Sequence, residues 1–477
     1  MPSGTSPRDG SFHHRLSLLA SDCEDIELKP NILARYADRP LPRYTSYPTA
    51  PHFMPVAQPD LYKEWLGQLA ADVPVSLYLH VPFCRSMCWY CGCHTTVTAR
   101  ESPVTRYLQS LRAEIAWVRQ ATGKQLPVRH VHFGGGTPSL MQPAEFVALM
   151  ACLRSAYVFD EETEIAVELD PRTLDEGRVA ALAAAGVNRA SLGVQSFDPV
   201  VQRAINRVQS FEQTEAATER LRRAGVAGVN FDLIYGLPHQ SVQSCLDTAA
   251  QALTLLPDRF AIFGYAHVPG FKLHQRKIDE ARLPDGHERH AQAEAIGAMF
   301  GEAGYIRIGL DHYARPQDSL ARALVDGRLH RNFQGYTTDG CQTLIGFGAS
   351  SIGRMPQGYV QNAVQIGDYQ KRIAAGGSAI VKACAFRGED RLRAAIIERL
   401  MCDYRADLGR LCDAYGSDAA SILGGAKGLE QLIEDGLARV EGSRIEVPEE
   451  ARPLVRVVAA VFDEYLGESQ TRHSRAL

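Results

Sequence analysis

Apolar and polar positions alternate along the chain between two periods, one typical of strands and one typical of helices. The run "VSLYLHV" at residues 75–81 predicts a buried strand, and "VTRYLQSLRAEIAWVRQ" after it has the apolar spacing of a helix. The same order continues to about residue 268 through "RHVHFGGG", "AEFVALMACLRSAY", "EIAVEL", "EGRVAALAAAG", "RASLGVQSF", "FEQTEAATERLRRAG", "GVNFDLIYG", "SVQSCLDTAAQALTLL" and "RFAIFGYAHV". Because such alternation implies parallel strands joined by right-handed crossovers, we predict an α/β fold, either a doubly covered open sheet or a partial barrel.

The pattern changes after about residue 270. The segments "GYIRIGLDHYARP", "LHRNFQGYTT" and "TLIGFGASSIG" are rich in glycine, aromatic residues and strand formers, so we expect them to continue or cap the sheet. From about residue 388, helical patterns flank the hairpin-like stretch "ARVEGSRIEV", an order typical of a winged helix. Its charges are of mixed sign, which favours a packing or lid domain over a DNA-reading domain.

Composition limits the classes of protein to which the chain can belong. Its 477 residues are 45% hydrophobic and 22% charged, as in ordinary globular proteins, and a formal net charge of −4 gives no overall attraction for nucleic acid. No apolar run is long enough to span a membrane, and the first residues do not resemble a signal peptide. We therefore expect a cytoplasmic protein without a membrane span, in a reducing compartment that keeps clustered cysteines free for metal or redox chemistry.

Unusual polar residues fall where the predicted strands end. They are Cys84, Cys88, Cys91 and Cys93 after the first strand, "GGGTP" after the second, Glu168 at the end of the third, Gln195 at the end of the fourth and Asp232 within the fifth. Parallel strands present their carboxyl ends on one side of a sheet or barrel. The sequence therefore predicts a functional site at that side.

The spacing of the first three cysteines, in "CRSMCWYC", indicates a site for a soft metal. A structural zinc site needs four closed ligands, and His94 could complete one, although three of the four would crowd one side of the ion. Three thiolates on a short loop suit instead an iron–sulfur cubane held at three corners, whose fourth iron is open to another ligand. The choice between zinc and a cluster is left open by spacing alone.

The motif "CRSMCWYC" resembles the CxxxCxxC signature of the radical S-adenosylmethionine (SAM) enzymes. Together with "YLHVPFCRSMCWYCGC", "RYTSYPTA", "HFGGGTP", "DHYARP" and "HRNFQGYTT", it resembles more narrowly the oxygen-independent coproporphyrinogen III oxidases. The resemblance implies a partial (βα)6 radical SAM barrel with a mainly helical C-terminal domain. We expect an N-terminal arm and lead-in at 1–68, the barrel at 69–303, a sheet extension lining the substrate cavity at 304–365, and the C-terminal winged-helix-like domain at 366–477.

The resemblance also implies a reaction. Members use a [4Fe-4S] cluster and two SAM molecules per turnover to convert two propionates of coproporphyrinogen III to vinyl groups without oxygen, which gives protoporphyrinogen IX for haem biosynthesis. A separate electron donor and a monomeric enzyme are expected with it. The alternative is a haem chaperone of the same superfamily, but that group typically lacks the second cysteine of "CGC" and the stretch "HRNFQGYTT".

Roles for single residues follow from the same resemblance. Cys84, Cys88 and Cys91 are the expected cluster ligands, whereas Cys93 is expected to act on substrate or a second SAM. The expected cofactor contacts are Tyr78, Tyr90, Gly135, Gly136, Thr137, Glu168, Gln195, Arg207, Asp232, Ala266 and Ile352. Tyr78, Phe333 and Gln334 are expected to join Cys93 at the substrate, and His330, Arg331 and Arg315 are candidates for binding its carboxylates. From the residues alone, Arg207 would be assigned to a helix surface, and Ala266 and Ile352 equally well to the core.

Overall fold

The chain folds into two units, each of which joins stretches that are distant in sequence. The computed structural model describes residues 32, 35–37, 39–466 and 474–475. The larger unit contains residues 50–305 and 341–387, and the smaller unit contains the described residues up to Thr49, residues 306–340 and those from Gly388 onward. Residues 1–31 of the N-terminal arm and lead-in expected at 1–68 lie outside the described residues, and the division into four segments stays a prediction.

Six parallel strands form the centre of the larger unit. They pair in chain order and are β1 (Val75–Val81), β2 (Val128–Gly135), β3 (Glu164–Leu169), β4 (Arg189–Gln195), β5 (Gly228–Tyr235) and β6 (Arg259–Gly264). The helices that alternate with them are α1 (Ser102–Thr122), α2 (Pro143–Ala156), α3 (Glu176–Ala184), α4 (Phe211–Arg223), α5 (Val242–Thr254) and α6 (Gly286–Glu302). The predicted (βα)6 order is confirmed, and the partial barrel is the correct one of the two predicted architectures.

The other edge of this sheet continues beyond β1. Strand β7 (Leu344–Phe347) runs parallel to β1, and Gly346 is the partner of Tyr78 in that pairing. An antiparallel series follows, formed by Ile352–Met355, Gly358–Asn362, Ile380–Ala385 and Met54–Pro55. The remaining elements of this unit include the helices Leu61–Gly67, Pro199–Ala204 and Ile366–Ala374 and the short parallel pair Phe83–Cys84 and Thr96–Val97. The sheet therefore continues from β7 onward, whereas residues 306–340 belong to the smaller unit.

Burial explains why the strand segments could be recognised. Every residue of β1 except Tyr78 is buried, which is the pattern of a parallel strand covered on both faces. On the side of β6, the rings of Phe260 and Phe300 stack with centroids 4.0 Å apart, and this contact packs α6 against the sheet. In the described part of the chain, no helix combines the length and apolar character that crossing a bilayer requires.

The smaller unit is mainly helical, as predicted for the C-terminal domain. Its helices are Ser319–Val325, Asp390–Asp403, Leu408–Tyr415, Ala419–Gly425, Leu429–Glu434 and Val455–Ala459. Its strands form a three-stranded sheet from Arg405–Asp407, Arg444–Glu446 and Arg439–Glu441, and pairs from Ile306–Ile308 with His312–Ala314, His330–Asn332 with Gly335–Thr337, and Pro40–Leu41 with Ser474–Arg475. Tyr44 and Tyr47 of "RYTSYPTA" are buried in this unit, where the Tyr44 hydroxyl donates to Asp463 at 3.1 Å.

A polar network lies where the barrel strands begin, opposite to the cysteine loop. Arg189 at the start of β4 donates from Nε to Glu164 of β3 at 3.1 Å and from Nη1 to Asn230 of β5 at 3.0 Å. Burial alone would raise the pKa of Glu164, but a hydrogen bond from His130 and the charges of Arg189 and Arg259 outweigh burial and hold that pKa below its usual value. Glu164 therefore contributes to stability as a carboxylate.

We expect Glu164→Gln to lower the free energy of unfolding at pH 7 by about 2–4 kcal/mol, between the values for exposed and fully buried ion pairs. Because the pKa of Glu164 is lower in the folded state, its contribution is present above its unfolded pKa and is lost as pH falls through its folded pKa. Urea unfolding at several pH values should show a difference between wild type and variant that shrinks below about pH 4.5. Glu162→Gln is the matched control, since Glu162 also pairs with an arginine but is 81% exposed. Equal losses for both variants, or a difference independent of pH, would contradict this account.

Candidate active site

The cysteine loop begins where β1 ends. Phe83–Cys84 pairs with Thr96–Val97, so the loop returns to its own starting point. The sulfur of Cys84 accepts a hydrogen bond from the Thr95 hydroxyl at 3.2 Å and lies 3.5 Å from the hydroxyl of Thr137 in the "GGGTP" turn. Burial raises the pKa of the Cys84 thiol although both hydroxyls oppose that shift.

The sulfur of Cys88 lies between two arginines that share one carboxylate. Arg207 Nη1 is 3.6 Å from this sulfur and Arg172 Nη2 is 3.9 Å from it. Arg172 donates to both oxygens of Asp170, at 2.9 and 2.6 Å, and Arg207 Nη2 is 3.5 Å from Asp170 Oδ1. The excess of positive charge beside Cys88 suits an anionic group bound at that position. The sequence did not indicate Arg172.

Cys91 and Cys93 differ in how readily they lose a proton. The backbone N–H of Cys93 donates to the sulfur of Cys91 at 3.4 Å. Hydrogen bonding from Cys93 lowers the pKa of Cys91 to about 7, and the same pairing with Cys91 raises the pKa of Cys93 well above its usual value. Cys91 is therefore the thiolate of the pair, and Cys93 keeps its proton.

The donor set suits a cluster better than a single ion. Among the described residues, no three His, Cys, Asp or Glu side chains form a group that could hold one metal ion, as the zinc site with His94 would require. The carbonyl of His94 accepts a hydrogen bond from His80 Nε2 at 2.9 Å, if that nitrogen carries the proton. Three soft thiols carried by one short loop match the ligands of an iron–sulfur cluster.

A segment after β6 supports the loop by binding its carbonyl groups. The pairs are Lys272 Nζ with Cys93 O at 3.1 Å, His274 Nε2 with Cys91 O at 2.7 Å and Gln275 Nε2 with Tyr90 O at 2.9 Å. Gln275 also donates to the carbonyl of Ala266 at 3.2 Å, so this predicted cofactor residue is tied to the same segment. Sequence reasoning missed these supporting residues because they lie almost two hundred positions from the cysteines and carry no motif of their own.

The "GGGTP" turn requires its glycines. Gly135 has φ +112°, and a Cβ there would lie 2.6 Å from the ring of His80. A Cβ on Gly136 would lie 2.4 Å from the carbonyl oxygen of Phe83, and Thr137 N–H donates to that oxygen at 2.7 Å. The turn therefore packs directly against the cysteine loop, at a distance that no side chain on Gly136 would allow.

A row of polar side chains crosses the inside of the barrel from β1 to β3. The rings of Tyr78 and His132 stack with centroids 5.9 Å apart, and the Tyr78 hydroxyl is 3.0 Å from Nδ1 of His80. His132 Nε2 is 3.0 Å from Glu168 Oε1, and the N–H of Gly135 donates to Glu168 Oε2 at 3.1 Å. Burial raises the pKa of Glu168, but these two partners outweigh it, and the net pKa is lowered. Glu168 is thus a fixed carboxylate.

The row continues on β4 and β5. Ser191 donates to Asp232 Oδ1 at 2.9 Å, and burial raises the pKa of Asp232 to about 7. Asp232 can therefore exchange a proton near neutral pH, whereas Glu168 stays charged. The two carboxyl groups have opposite pKa shifts because Asp232 has one neutral donor, while Glu168 is bonded by an imidazole and a backbone N–H.

Two buried polar atoms on the same rim have no hydrogen-bond partner among the described residues. They are Oε1 of Gln195 and Nε of Arg207. Gln195 has φ +69° at the end of β4, and Arg207 Nη2 donates to the carbonyl of Gly193 at 2.5 Å, so both side chains belong to one corner. Buried polar atoms normally find partners, and here a polar ligand such as SAM would supply them.

The remaining predicted residues of the larger unit, Tyr90 and Ile352, follow the ends of β1 and β7. Tyr90 and Trp89 pack against an apolar cluster that includes Ile205, and burial raises the pKa of Tyr90 well above its usual value. Ile352 begins the strand that follows β7. Both lie on segments that leave the C-terminal ends of parallel strands.

Phe333 and Gln334 belong to the smaller unit. They form the turn between His330–Asn332 and Gly335–Thr337, where Gln334 N–H donates to Asn332 Oδ1 at 2.9 Å. Their neighbours already have partners in the same unit. His330 Nδ1 is 3.1 Å from Glu398, and Arg331 Nη1 is 3.9 Å from Asp311.

Comparisons with known proteins agree with this geometry. Residues 78–252 match the model of the radical SAM superfamily. The oxygen-independent coproporphyrinogen III oxidase of Bradyrhizobium diazoefficiens is 56% identical over 94% of this chain and 100% of its own length, and that of Paracoccus denitrificans is 43% identical over 92% and 97%. The solved structure of coproporphyrinogen III oxidase from Escherichia coli, a radical SAM enzyme, superposes with a TM-score of 0.85 at 36% identity over 89% of this chain and 97% of that one. The chain belongs to the oxygen-independent coproporphyrinogen III oxidase family of the radical SAM superfamily.

Proposed function

We propose that this protein catalyses the anaerobic oxidative decarboxylation of two propionates of coproporphyrinogen III to vinyl groups, which gives protoporphyrinogen IX for haem biosynthesis. The observation that carries this proposal is the cysteine loop at one rim of the barrel, where the sulfur of Cys84 lies beside Thr137 of the "GGGTP" turn and two buried polar atoms have no hydrogen-bond partner among the described residues. The relatives that share nearly the whole length are named for this reaction. A haem chaperone is less well supported, since the chain has both Cys93 and the stretch "HRNFQGYTT", which that group typically lacks.

The cofactors are a [4Fe-4S] cluster and two SAM molecules per turnover. We assign Cys84, Cys88 and Cys91 as the cluster ligands, because a hydroxyl at Cys84, the arginines at Cys88 and a backbone N–H at Cys91 each direct a donor at the sulfur, which suits an anionic cluster. When bound, the cluster and SAM supply a 5'-deoxyadenosyl radical that takes a hydrogen atom from the propionate carbon β to the carboxylate. The residues of the chain must position these groups and exclude water and oxygen.

Arg207 and Gln195 are proposed to bind SAM through their unpartnered atoms. A guanidinium binds a carboxylate with two parallel hydrogen bonds, so we assign Arg207 to the SAM carboxylate. The amide oxygen of Gln195 accepts a hydrogen bond, which suits a ribose hydroxyl. The other proposed cofactor contacts are Tyr78, Tyr90, Gly135, Gly136, Thr137, Glu168, Asp232, Ala266 and Ile352.

Cys93 is proposed to act on the substrate or on the second SAM. Its side chain is exposed, and its backbone N–H donates to the sulfur of Cys91. Tyr78 is also proposed to contact the substrate, and a substrate contact is proposed separately for Phe333 and Gln334 of the smaller unit. We further propose that the enzyme works as a monomer in the cytoplasm, where reducing conditions preserve the thiols, and that a separate protein or small reductant delivers the electron.

The reaction itself can be tested by anaerobic incubation of the reconstituted protein with SAM, dithionite and coproporphyrinogen III. We expect chromatography to show protoporphyrinogen IX together with two deoxyadenosines per product molecule. A haem titration under the same conditions distinguishes the chaperone. Stoichiometric haem binding without vinyl product would overturn the enzymatic proposal.

Replacement of Cys84, Cys88 or Cys91 by alanine is expected to remove the visible absorbance of the cluster after anaerobic reconstitution, because two corners cannot hold a cubane stably. Iron and sulfide content should fall at least several-fold in each variant. Cys152→Ala serves as the matched control, since Cys152 lies on α2, a helix outside the cysteine loop. A full cubane spectrum in any of the three variants would disprove that ligand assignment.

Cys93→Ala is expected to keep the cluster spectrum and to lose product formation by about a hundred-fold or more, the range of a positioned proton donor. Its cluster should survive because Cys93 is not assigned as a ligand. Cys93→Ser, which keeps a hydroxyl of similar position, should recover part of the activity if proton donation is its role. Turnover at the wild-type rate in Cys93→Ala would show that the thiol is dispensable.

A further inference from the structure

Helix α1 directs two polar side chains at one loop on the catalytic rim. Tyr107 and Glu114 are two helical turns apart on the same face of α1, and both are buried, with 0% and 3% of their surface exposed. Their common target is the loop Gly348–Ser351, here called the rim loop. It leaves the C-terminal end of β7, which is parallel to β1, so it lies on the same rim as the cysteine loop. Neither residue is among the expected cofactor contacts.

Glu114 accepts three hydrogen bonds and faces only donors. Its Oε2 accepts from Gly348 N–H at 2.7 Å and from the Tyr369 hydroxyl at 2.8 Å, and its Oε1 accepts from Asn362 Nδ2 at 2.6 Å. Both oxygens of a carboxylate accept hydrogen bonds, whereas a glutamine would turn an NH2 group toward at least one of these donors. Burial nevertheless raises the pKa of Glu114 to about 7, because removing the charged carboxylate from water costs free energy.

The rim loop needs such support because its backbone is strained. Gly348 has φ +93° and Ser350 has φ +65°, a region that a residue with a Cβ seldom adopts. Asn362 connects Glu114 to the loop, since its Nδ2 also donates to Gly348 O at 2.9 Å and lies 3.1 Å from Ser351 Oγ. Glu114 thus fixes both ends of the loop.

Tyr107 connects the same loop to β1. Its hydroxyl donates to the carbonyl of His80 at 2.7 Å and accepts from Ala349 N–H at 2.8 Å. His80 precedes the cysteine loop by a few residues, and its ring contacts Tyr78. The Tyr107 hydroxyl oxygen therefore joins two segments. One is the end of β1, which leads to the expected cluster ligands, and the other is the rim loop, which leads to Ile352.

We propose that Tyr107 and Glu114 form a positioning clamp that holds the rim loop and the end of β1 in the geometry that binds SAM. The proposal rests on the proposed function, because Tyr78 and Ile352 are assigned to cofactor binding there. The two residues act through the backbone that they hold and are positioning residues. Gln195 Oε1 and Arg207 Nε, which have no hydrogen-bond partner among the described residues, are not part of the clamp.

The clamp can be tested first without any cofactor. We expect Glu114→Gln and Tyr107→Phe to increase hydrogen–deuterium exchange about ten-fold or more at the amides of residues 348–352, measured by mass spectrometry on the full chain. In the reconstituted protein, the Kd for SAM should rise about ten-fold while the cluster spectrum is unchanged. The KM for SAM should rise with it, and kcat at saturating SAM should change less.

Leu111→Ala is the matched control. Leu111 lies between the two clamp residues on the same buried face of α1 and is 0% exposed, so its loss destabilises the helix packing but removes no clamp hydrogen bond. It should lower Tm at least as much as Tyr107→Phe and leave the SAM Kd within two-fold of wild type. If Glu114→Gln does not fold, Tyr107→Phe, which removes a single oxygen, carries the test alone.

Two results would overturn the clamp. The first is that both variants exchange amide hydrogens and bind SAM as wild type does. The second is that Leu111→Ala changes exchange and SAM affinity as much as the two variants do, which would show that a general loss of stability explains the effect. The exchange and SAM-binding measurements do not involve coproporphyrinogen. A protein that binds SAM in a clamp-dependent way but forms no vinyl product would therefore refute the proposed function and leave the clamp intact.

Discussion

Parallel pairing of β1 with its two neighbours is the constraint on which the site depends. Tyr78 is the partner of His132 on β2 on one side and of Gly346 on β7 on the other, so three chain segments end at the same level. Because parallel strands present their carboxyl ends together, the cysteine loop, the "GGGTP" turn and the rim loop leave the sheet side by side. The close contact of Gly136 with Phe83 exists only at this register, and a shift of one residue would put a different side chain inside the barrel.

Positive charge is incompletely paired beside the cysteine loop. At the cysteine loop, Arg172 and Arg207 share the single carboxylate of Asp170, and this leaves an excess of positive charge beside Cys88. Buried ions that are incompletely paired cost stability, so this imbalance is explained better by an anionic partner at the sulfur than by folding. The unpartnered Nε of Arg207 has the same explanation.

The sequence was most informative where a residue's environment is determined by its near neighbours. The apolar runs at 75–81 and 164–169 predicted β1 and β3 to the residue, and the cysteine spacing indicated the loop. Arg172, Lys272 and the Tyr107–Glu114 pair were missed because their importance arises only from contacts across the fold. In the sequence, Glu114 looks like any other charged residue of a helix, because the loop that it binds is more than two hundred residues away along the chain. The roles expected for Arg207, Ala266 and Ile352 came from the family motif, since local pattern favoured a helix-surface position for Arg207 and, equally well, a core position for Ala266 and Ile352.

The one-residue spacing between Cys91 and Cys93 gives two identical side chains different surroundings. With one residue between them, the N–H of Cys93 reaches the sulfur of Cys91, and this pairing lowers the pKa of Cys91. Among the described residues other than its chain neighbours, no atom lies within 4 Å of the position that a Cβ on Gly92 would take, so the glycine of "CGC" is not required by close packing. The feature that matters is therefore the separation of the two cysteines by a single residue. A longer spacing would break the hydrogen bond from Cys93 N–H that lowers the pKa of Cys91.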